Sequence, residues 1–251
     1  MNTLTLPLVG SHKGQNGRLL IIGGSELFHA ASLWSLTVAS RIVDLVHYCS
    51  IPENNALVKH EFRNGIVVSR EHVEEYIQED DVILIGPGMT RDTETKTLTD
   101  TLLSKYPEKQ WVIDAGALQM MDVSRIPHHA ILTPHHGEYL RVFGDANISD
   151  MAKKYTCIIL LKGDKDIVAD GTRTEEITGG NPGMTKGGTG DVLAGLIAAL
   201  ACKNDPFTAT VMGSKINKQA GDALYKKVGP FFNATDLANE IPVVMKNILI
   251  H

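Results

Sequence analysis

The sequence predicts an α/β fold: a mainly parallel central sheet flanked by helices on both faces, with an antiparallel edge and a helical C-terminal part. Three observations carry this. Short runs that are apolar throughout recur along the chain, the pattern of strands covered on both faces. Helical patterns separate them, and strand followed by helix, repeated, makes parallel neighbours. Late in the chain, Asp170-Gly171 lies between two further short runs and reads as a hairpin turn, so the last strands run antiparallel.

The first run, 18–23, is Leu-Leu-Ile-Ile after Arg18 and stops at Gly23-Gly24. A helical pattern at 30–43 precedes a strand at 45–49. A strand at 65–68 and a helix at 71–78 follow, the helix lying in a charged run that reads as a solvated face. The strand at 82–85 is wholly apolar, helix 93–105 comes next, and strand 111–113 carries Trp111. Strand 130–132, helix 137–142 and strand 157–161 complete the parallel set. Strands 166–169 and 173–177 form the hairpin, and 192–202, 207–227 and 236–248 are helical. Trp34 and Trp111 have apolar neighbours and are expected in the core. The 251 residues are expected to form a single domain.

Composition narrows the function. Hydrophobic residues make up 43% and charged residues 21%, which suits a full core and not a disordered chain. A net charge of −5 disfavours a general nucleic-acid binder. Cys49, Cys157 and Cys202 are scattered and form no Cys-x-x-Cys, so they read as small buried apolar residues rather than a disulfide framework. The N-terminal residues lack a charged segment followed by an apolar one, so no secretory signal is expected. No apolar stretch approaches the ~18 residues of a membrane span, and the expected setting is the cytoplasm. His128-His129 and His135-His136 lack helical metal-ligand spacing and have no cysteine nearby, which argues against zinc.

In open sheets, ligands bind beyond the carboxyl ends of the strands. Here those ends run into Gly23-Gly24-Ser25, Gly86-Pro87-Gly88, Asp114-Ala115-Gly116, Thr133-Pro134-His135-His136-Gly137-Glu138 and Lys162-Gly163-Asp164. Any one of these could be an ordinary turn. Together they set glycines and charged groups along one edge. The densest signal is the glycine-rich stretch 179–191, followed at once by Val192-Leu193-Ala194-Gly195-Leu196-Ile197. That continuation is apolar around its whole circumference, so the helix is buried. A helix start presents N–H groups without intrahelical partners and a partial positive charge, a ready phosphate site when glycines let the backbone converge. The stretch is neither a GxxxxGK[ST] loop nor a G-x-G-x-x-G fingerprint, because Leu193 stands where the third glycine would fall. Asp191 lies in the first turn, where the dipole favours its ionised form. There it can accept a proton from a hydroxyl attacking a phosphoryl group, or serve only as a helix cap.

The string Gly187-Gly188-Thr189-Gly190-Asp191 resembles the G[AT]GD signature of ribokinase-like small-molecule kinases. The longer string from Gly180-Asn181-Pro182-Gly183-Met184 through Asp191 to Gly195 resembles the hallmark of the NAD(P)H-hydrate dehydratases, a branch of that superfamily. Gly86-Pro87-Gly88, Leu161-Lys162-Gly163 and Ala234-Thr235-Asp236-Leu237 recur in family order, and the likeness spans roughly residues 14–241. It implies a ribokinase-like fold and an ADP- or ATP-driven dehydration of the S epimer of hydrated NADH or NADPH (NADHX or NADPHX). Phosphorylating the ring hydroxyl creates a leaving group, and loss of phosphate restores the double bond.

By the match, Asp191 contacts the substrate hydroxyl and acts as base. The segment Lys162-Gly163-Asp164-Lys165-Asp166 and the loop Gly187-Gly188-Thr189-Gly190 hold the nucleotide. Ala31, Gly88, His135 and Asn181 fall on the substrate side, and Glu138 falls where relatives help hold Mg²⁺ through water. The resemblance also implies a homo-oligomer, a tetramer as in relatives. Many bacterial relatives carry a fused epimerase domain; this chain is too short for one, so epimerisation, where it occurs, is expected to fall to a separate epimerase. Three motifs depart from the pattern: Ala30-Ala31-Ser32 replaces Gly-Ala-Pro, Thr90 replaces a glycine, and Gly116 replaces an aspartate. Two other functions share these motifs. A small-molecule kinase of the hydroxymethylpyrimidine or hydroxyethylthiazole type would release a phosphorylated product, and a non-catalytic nucleotide-binding module would release none.

Overall fold

Residues 4–250 are described in the computed structural model; the remaining ends of the expected domain, including the first three residues of the segment read as lacking a secretory signal, lie outside the described residues. Nine strands among the described residues form one sheet: β1 (Arg18–Ile22), β2 (Leu45–Cys49), β3 (Ile66–Val68), β4 (Val82–Ile85), β5 (Gln110–Ile113), β6 (Ile131–Leu132), β7 (Ile158–Leu161), β8 (Asp166–Ala169) and β9 (Thr174–Ile177). Their order is β3-β2-β1-β4-β5-β6-β7-β8-β9. Neighbours up to β7 pair in parallel, and β7–β8 and β8–β9 pair antiparallel, as expected. The helices are α1 (His29–Ala39), α2 (Pro52–Glu61), α3 (Val73–Glu79), α4 (Thr93–Lys105), α5 (Ala115–Met120), α6 (His136–Phe143), α7 (Ile148–Tyr155), α8 (Thr189–Ala201), α9 (Pro206–Val228) and α10 (Ala234–Leu249). None of the described helices is long and apolar enough to cross a membrane.

Alternate strand residues feed two cores. Leu19 and Ile21 of β1 face the layer shared with α1, α8, α9 and α10, while Leu20 and Ile22 face the layer shared with α3, α4, α5 and α7. Burial of both faces is why these strands read as continuous apolar runs. Cys49 and Cys157 are buried in this sheet, and desolvation pushes their thiols up to about 11 and about 12. Both behave as small apolar residues.

The structure differs from the sequence expectation in specific places. α1 stops at Ala39, four residues before the expected end at 43. The helices α2, α5 and α7 were not expected: α2 buries only Asn54 and Val58, α5 has six residues, and α7 packs the apolar stripe Ile148, Met151, Ala152 and Tyr155 on the core within only eight residues. Asp80 is not part of a solvated face; it is buried and hydrogen-bonded to the ring of His47 at 2.8 Å. Trp111 is fully buried, but Trp34 is only partly buried and donates from Nε1 to Thr235 Oγ1 at 3.2 Å. The expected helix at 236–248 is borne out as α10, which runs on through Pro242 although that residue has no N–H for the carbonyl of Ala238. Arg41 takes over that role, donating from Nη1 to Ala238 O at 3.1 Å.

Candidate active site

Because β1 and β4 to β7 run parallel, their carboxyl ends emerge along one edge. The sheet order reverses between β1 and β4, which makes a crevice at that edge. The two loops there are tied by the Gly24 amide donating to Pro87 O at 2.7 Å. One step along, Asp114 follows β5 and is buried; its Oδ1 accepts from Thr133 Oγ1 at 2.8 Å and from Lys162 Nζ at 3.1 Å. Lys162 follows β7 and is fixed by its amide donating to Pro134 O at 2.9 Å. His135 and Glu138 form a capping box at the start of α6: Nδ1 of His135 accepts from the amides of Gly137 and Glu138, and Glu138 Oε2 accepts from the His135 amide at 2.9 Å. The other oxygen of Glu138 accepts from Gln119 Nε2 at 2.9 Å.

Asp191 enters from above this edge on α8. The N-cap of α8 is Gly188 at φ +94°, a left-handed conformation that suits glycine; a Cβ there would also lie 2.4 Å from the Trp34 ring. Asp191 is therefore the third helical residue and not the cap. Its carbonyl is pinned by Ser35 Oγ at 2.7 Å, while its carboxylate makes no hydrogen bond to another residue among the described residues. The Thr189 amide turns back to Lys186 O at 3.4 Å, which leaves the Gly190 amide at the cavity wall.

Charge here is unbalanced. Burial and then the Asp114 carboxylate push Asp191 up to about 7, against the pull of Lys162, with Glu138 adding to the rise. The helix dipole, expected to keep Asp191 ionised, is outweighed. Burial works against the Lys162 ammonium, but Asp114, Glu138 and Asp191 together hold its pKa above the ordinary lysine value. Three carboxylates around one lysine leave a negative surplus that suits a hard divalent cation. No cluster of three His, Cys, Asp or Glu side chains able to hold a metal occurs among the described residues, so such an ion would keep most of its waters.

Two cavities meet at this point, both touched by His135. One, about 680 Å³, is lined by Ala31, Gly88, Glu138 and Asp191. The other, about 760 Å³, is lined by Lys162, Gly163, Asp164, Asp166, Asn181, Thr189 and Gly190. The structure thus gathers Ala31, Gly88, His135 and Asp191 on one side, as expected, but sets Asn181 on the other. Gly187 lies outside both walls, exposed, and Lys165 turns outward to Glu176 at 3.4 Å. The Asp166 carboxylate is buried, accepting from the Gly163 amide at 3.0 Å and from Ser214 Oγ at 2.8 Å, so it shapes the loop. Gly116 has a local cause: a Cβ there would stand 2.1 Å from Met89 O, leaving no room for an aspartate.

Sequence reasoning missed Lys218 and Asp222 on α9. Lys218 is buried, donates to the carbonyls of Gly163, Asp164 and Gly179 at 3.1, 3.2 and 3.2 Å, and pairs with Asp166 at 3.3 Å. Asp222 accepts from the Gly180 amide and from Asn181 Nδ2 at 3.2 and 3.0 Å. Together they clamp both loops of the larger cavity. Their four-residue spacing on one helix face was the available signal, and it reads equally as a solvated ion pair.

Known proteins resemble this chain in sequence and fold. The profile of the family described as NAD(P)H-hydrate dehydratase matches residues 19–243. The chain is 36% identical over 245 residues to the bifunctional NAD(P)H-hydrate repair enzyme of Archaeoglobus fulgidus, covering 92% of this chain and 51% of that protein. It spans about half the length of the bifunctional relatives it matches. It is 32% identical to the ADP-dependent (S)-NAD(P)H-hydrate dehydratase of Cenarchaeum symbiosum, covering 94% of this chain and 91% of that one. The ADP/ATP-dependent NAD(P)H-hydrate dehydratase of Bacillus subtilis, co-crystallised with ATP/Mg²⁺, has the same ribokinase-like fold, with a TM-score of 0.85 at 24% identity over 98% of this chain and 94% of that one. With the matched profile spanning most of its length, the chain belongs to the NAD(P)H-hydrate dehydratase family.

Proposed function

We propose that this protein dehydrates the S epimer of hydrated NADH or NADPH at the expense of ADP or ATP. The observation that carries the proposal is the Asp191 carboxylate, without a hydrogen-bond partner among the described residues, in the wall of one cavity and next in sequence to Gly190 in the wall of the other. The cavity of about 680 Å³ takes the hydrated nicotinamide, and the one of about 760 Å³ takes the nucleotide. Asp191 removes the proton from the ring hydroxyl as the hydroxyl oxygen attacks the terminal phosphorus, and the bridging P–O bond breaks to release AMP from ADP or ADP from ATP. The Gly190 amide and Lys162 face the charge on the migrating group. The C–O bond to phosphate then breaks, the neighbouring ring carbon gives up a proton to solvent, and its C–H electron pair becomes the ring double bond.

Lys162, Gly163, Asp164, Thr189 and Gly190 contact the nucleotide, while Lys165, Asp166, Gly187 and Gly188 act by shaping its loops. Ala31, Gly88 and His135 position the substrate, and Asn181 orders the nucleotide loop through Asp222. Glu138 is suited to hold Mg²⁺ through water; the ion would neutralise phosphate charge when bound. The protein is further proposed to be cytoplasmic and to act as a homo-oligomer. Exposed Tyr225, Val228 and Phe231 near the end of α9 support self-association, and light scattering showing a monomer removes it.

The test is to incubate the protein with hydrated NADH, Mg²⁺ and either ADP or ATP. Recovery of the reduced-nicotinamide absorbance with one phosphate released per cofactor is expected. A stable phosphorylated product would instead identify a kinase, and bound nucleotide with no product would identify a binding module.

A further inference from the structure

We propose that Arg91 and Arg141 form a phosphate clamp in the substrate cavity, holding the dinucleotide part of the hydrated cofactor; this rests on the function proposed above. Both arginines line the cavity that contains Asp191, and neither lines the nucleotide cavity. Both guanidinium groups point at a single acceptor, Gln119 Oε1, from 3.1 Å for Arg141 and 3.5 Å for Arg91. Gln119 is turned that way because its Nε2 donates to Glu138.

Neither arginine pairs with a carboxylate among the described residues. The nearby acids are committed elsewhere: Glu138 to Gln119 and the His135 amide, Asp92 to the Thr95 amide and Thr90. Each guanidinium brings five N–H donors, and one amide oxygen cannot satisfy two of them. The missing partner is an anion with several oxygens, and the planar fork of arginine matches phosphate.

Part of the same cavity's lining is apolar. Leu27 and Phe28 are 71% and 48% exposed there, beside the buried Met89. A cavity with cationic and apolar lining fits a ligand joining aromatic bases to phosphates. Nothing in the hydroxyl chemistry at Asp191 requires the arginines, so their part is affinity. The phosphate could be the diphosphate bridge or, in the hydrated NADPH substrate, the 2′-phosphate.

The experiment measures binding of NADH, NADPH and ADP, without turnover, to the full chain and to Arg91→Ala, Arg141→Ala and the double variant. Both residues are exposed and their replacement leaves the cores intact. Each single change is expected to weaken NADPH binding roughly tenfold and the double change more, with ADP affinity within twofold. Equal losses for NADH and NADPH assign the diphosphate; a loss confined to NADPH assigns the 2′-phosphate. Arg63→Ala, at an exposed arginine outside the cavity, controls for net charge. The clamp is overturned if the wild type binds no reduced dinucleotide, if the variants bind NADPH as the wild type does, or if Arg63→Ala has the same effect. Arginine-dependent NADPH binding without recovery of hydrated cofactor would sink the dehydratase activity and leave the clamp standing.

Discussion

At the scale of single residues, Asp191 sets two opposite behaviours. Its ionised form is the base, and its pKa is raised to about 7 by burial and by Asp114. Turnover should therefore rise with pH, losing about tenfold per unit below pH 7 and levelling off above it. Asp191→Asn should lower kcat at least ~10³-fold while ADP binds normally, because the Gly190 amide is untouched. The same shift predicts a stability effect of the other sign. The folded pKa lies above the unfolded one, so wild-type stability declines as pH rises from about 4 to 7. Asp191→Asn removes that loss and should be the more stable protein above pH 7, by on the order of 2 kcal/mol after allowing for its partial exposure. Denaturant titrations at pH 4 and pH 8 check this; equal stability at both would show that the carboxylate is not strained. The position of Asp191 was legible from its glycines and the apolar run behind it. The direction of its pKa was not, because it depends first on burial and then on Asp114, a residue 77 positions away in sequence on a neighbouring strand end.

At the scale of elements, what the sequence hides is what carries no hydrophobic period. Strands β1, β4 and β7 announce themselves because both faces are buried, whereas α2 lies on the surface with only Asn54 and Val58 turned inward. Pro242 argues for a helix break, yet α10 passes through it with help from Arg41. Arg41→Ala should leave the Ala238 carbonyl without a donor and cost about 1–2 kcal/mol in denaturant unfolding. No measurable loss would mean that water replaces the guanidinium. The glycine loop before α8 depends on Gly188 in the same local way. Gly188→Ala must adopt a strained backbone and displace Trp34, at a cost of about 1–3 kcal/mol, and should weaken ADP binding at least tenfold by moving the Gly190 amide. Calorimetric titration of ADP into this variant checks both steps, and unchanged affinity would detach the loop from the nucleotide.

At the scale of the whole molecule, parallel strands bring distant segments to one edge, and the reversal of order between β1 and β4 opens the crevice between them. This much followed from the apolar runs and the residues ending them. The division into two cavities did not, and neither did the crossing-over of Asn181, because both depend on how α8 and α9 sit across the sheet. Since both cavities are built from segments spread along the chain, ligand binding should report on the folded state as a whole. Nucleotide at a hundred times its Kd should add about 2.7 kcal/mol and raise Tm by roughly 5–10 °C in one cooperative transition. The central chemical claim is transfer of a phosphoryl group to the substrate hydroxyl beside Asp191, followed by cleavage of the carbon–oxygen bond. Hydrated NADH bearing ¹⁸O in its ring hydroxyl tests it most directly, with mass analysis of the phosphate released. One ¹⁸O atom in each phosphate is the predicted result, whereas phosphate without ¹⁸O would show hydrolysis of the nucleotide by water and contradict the mechanism.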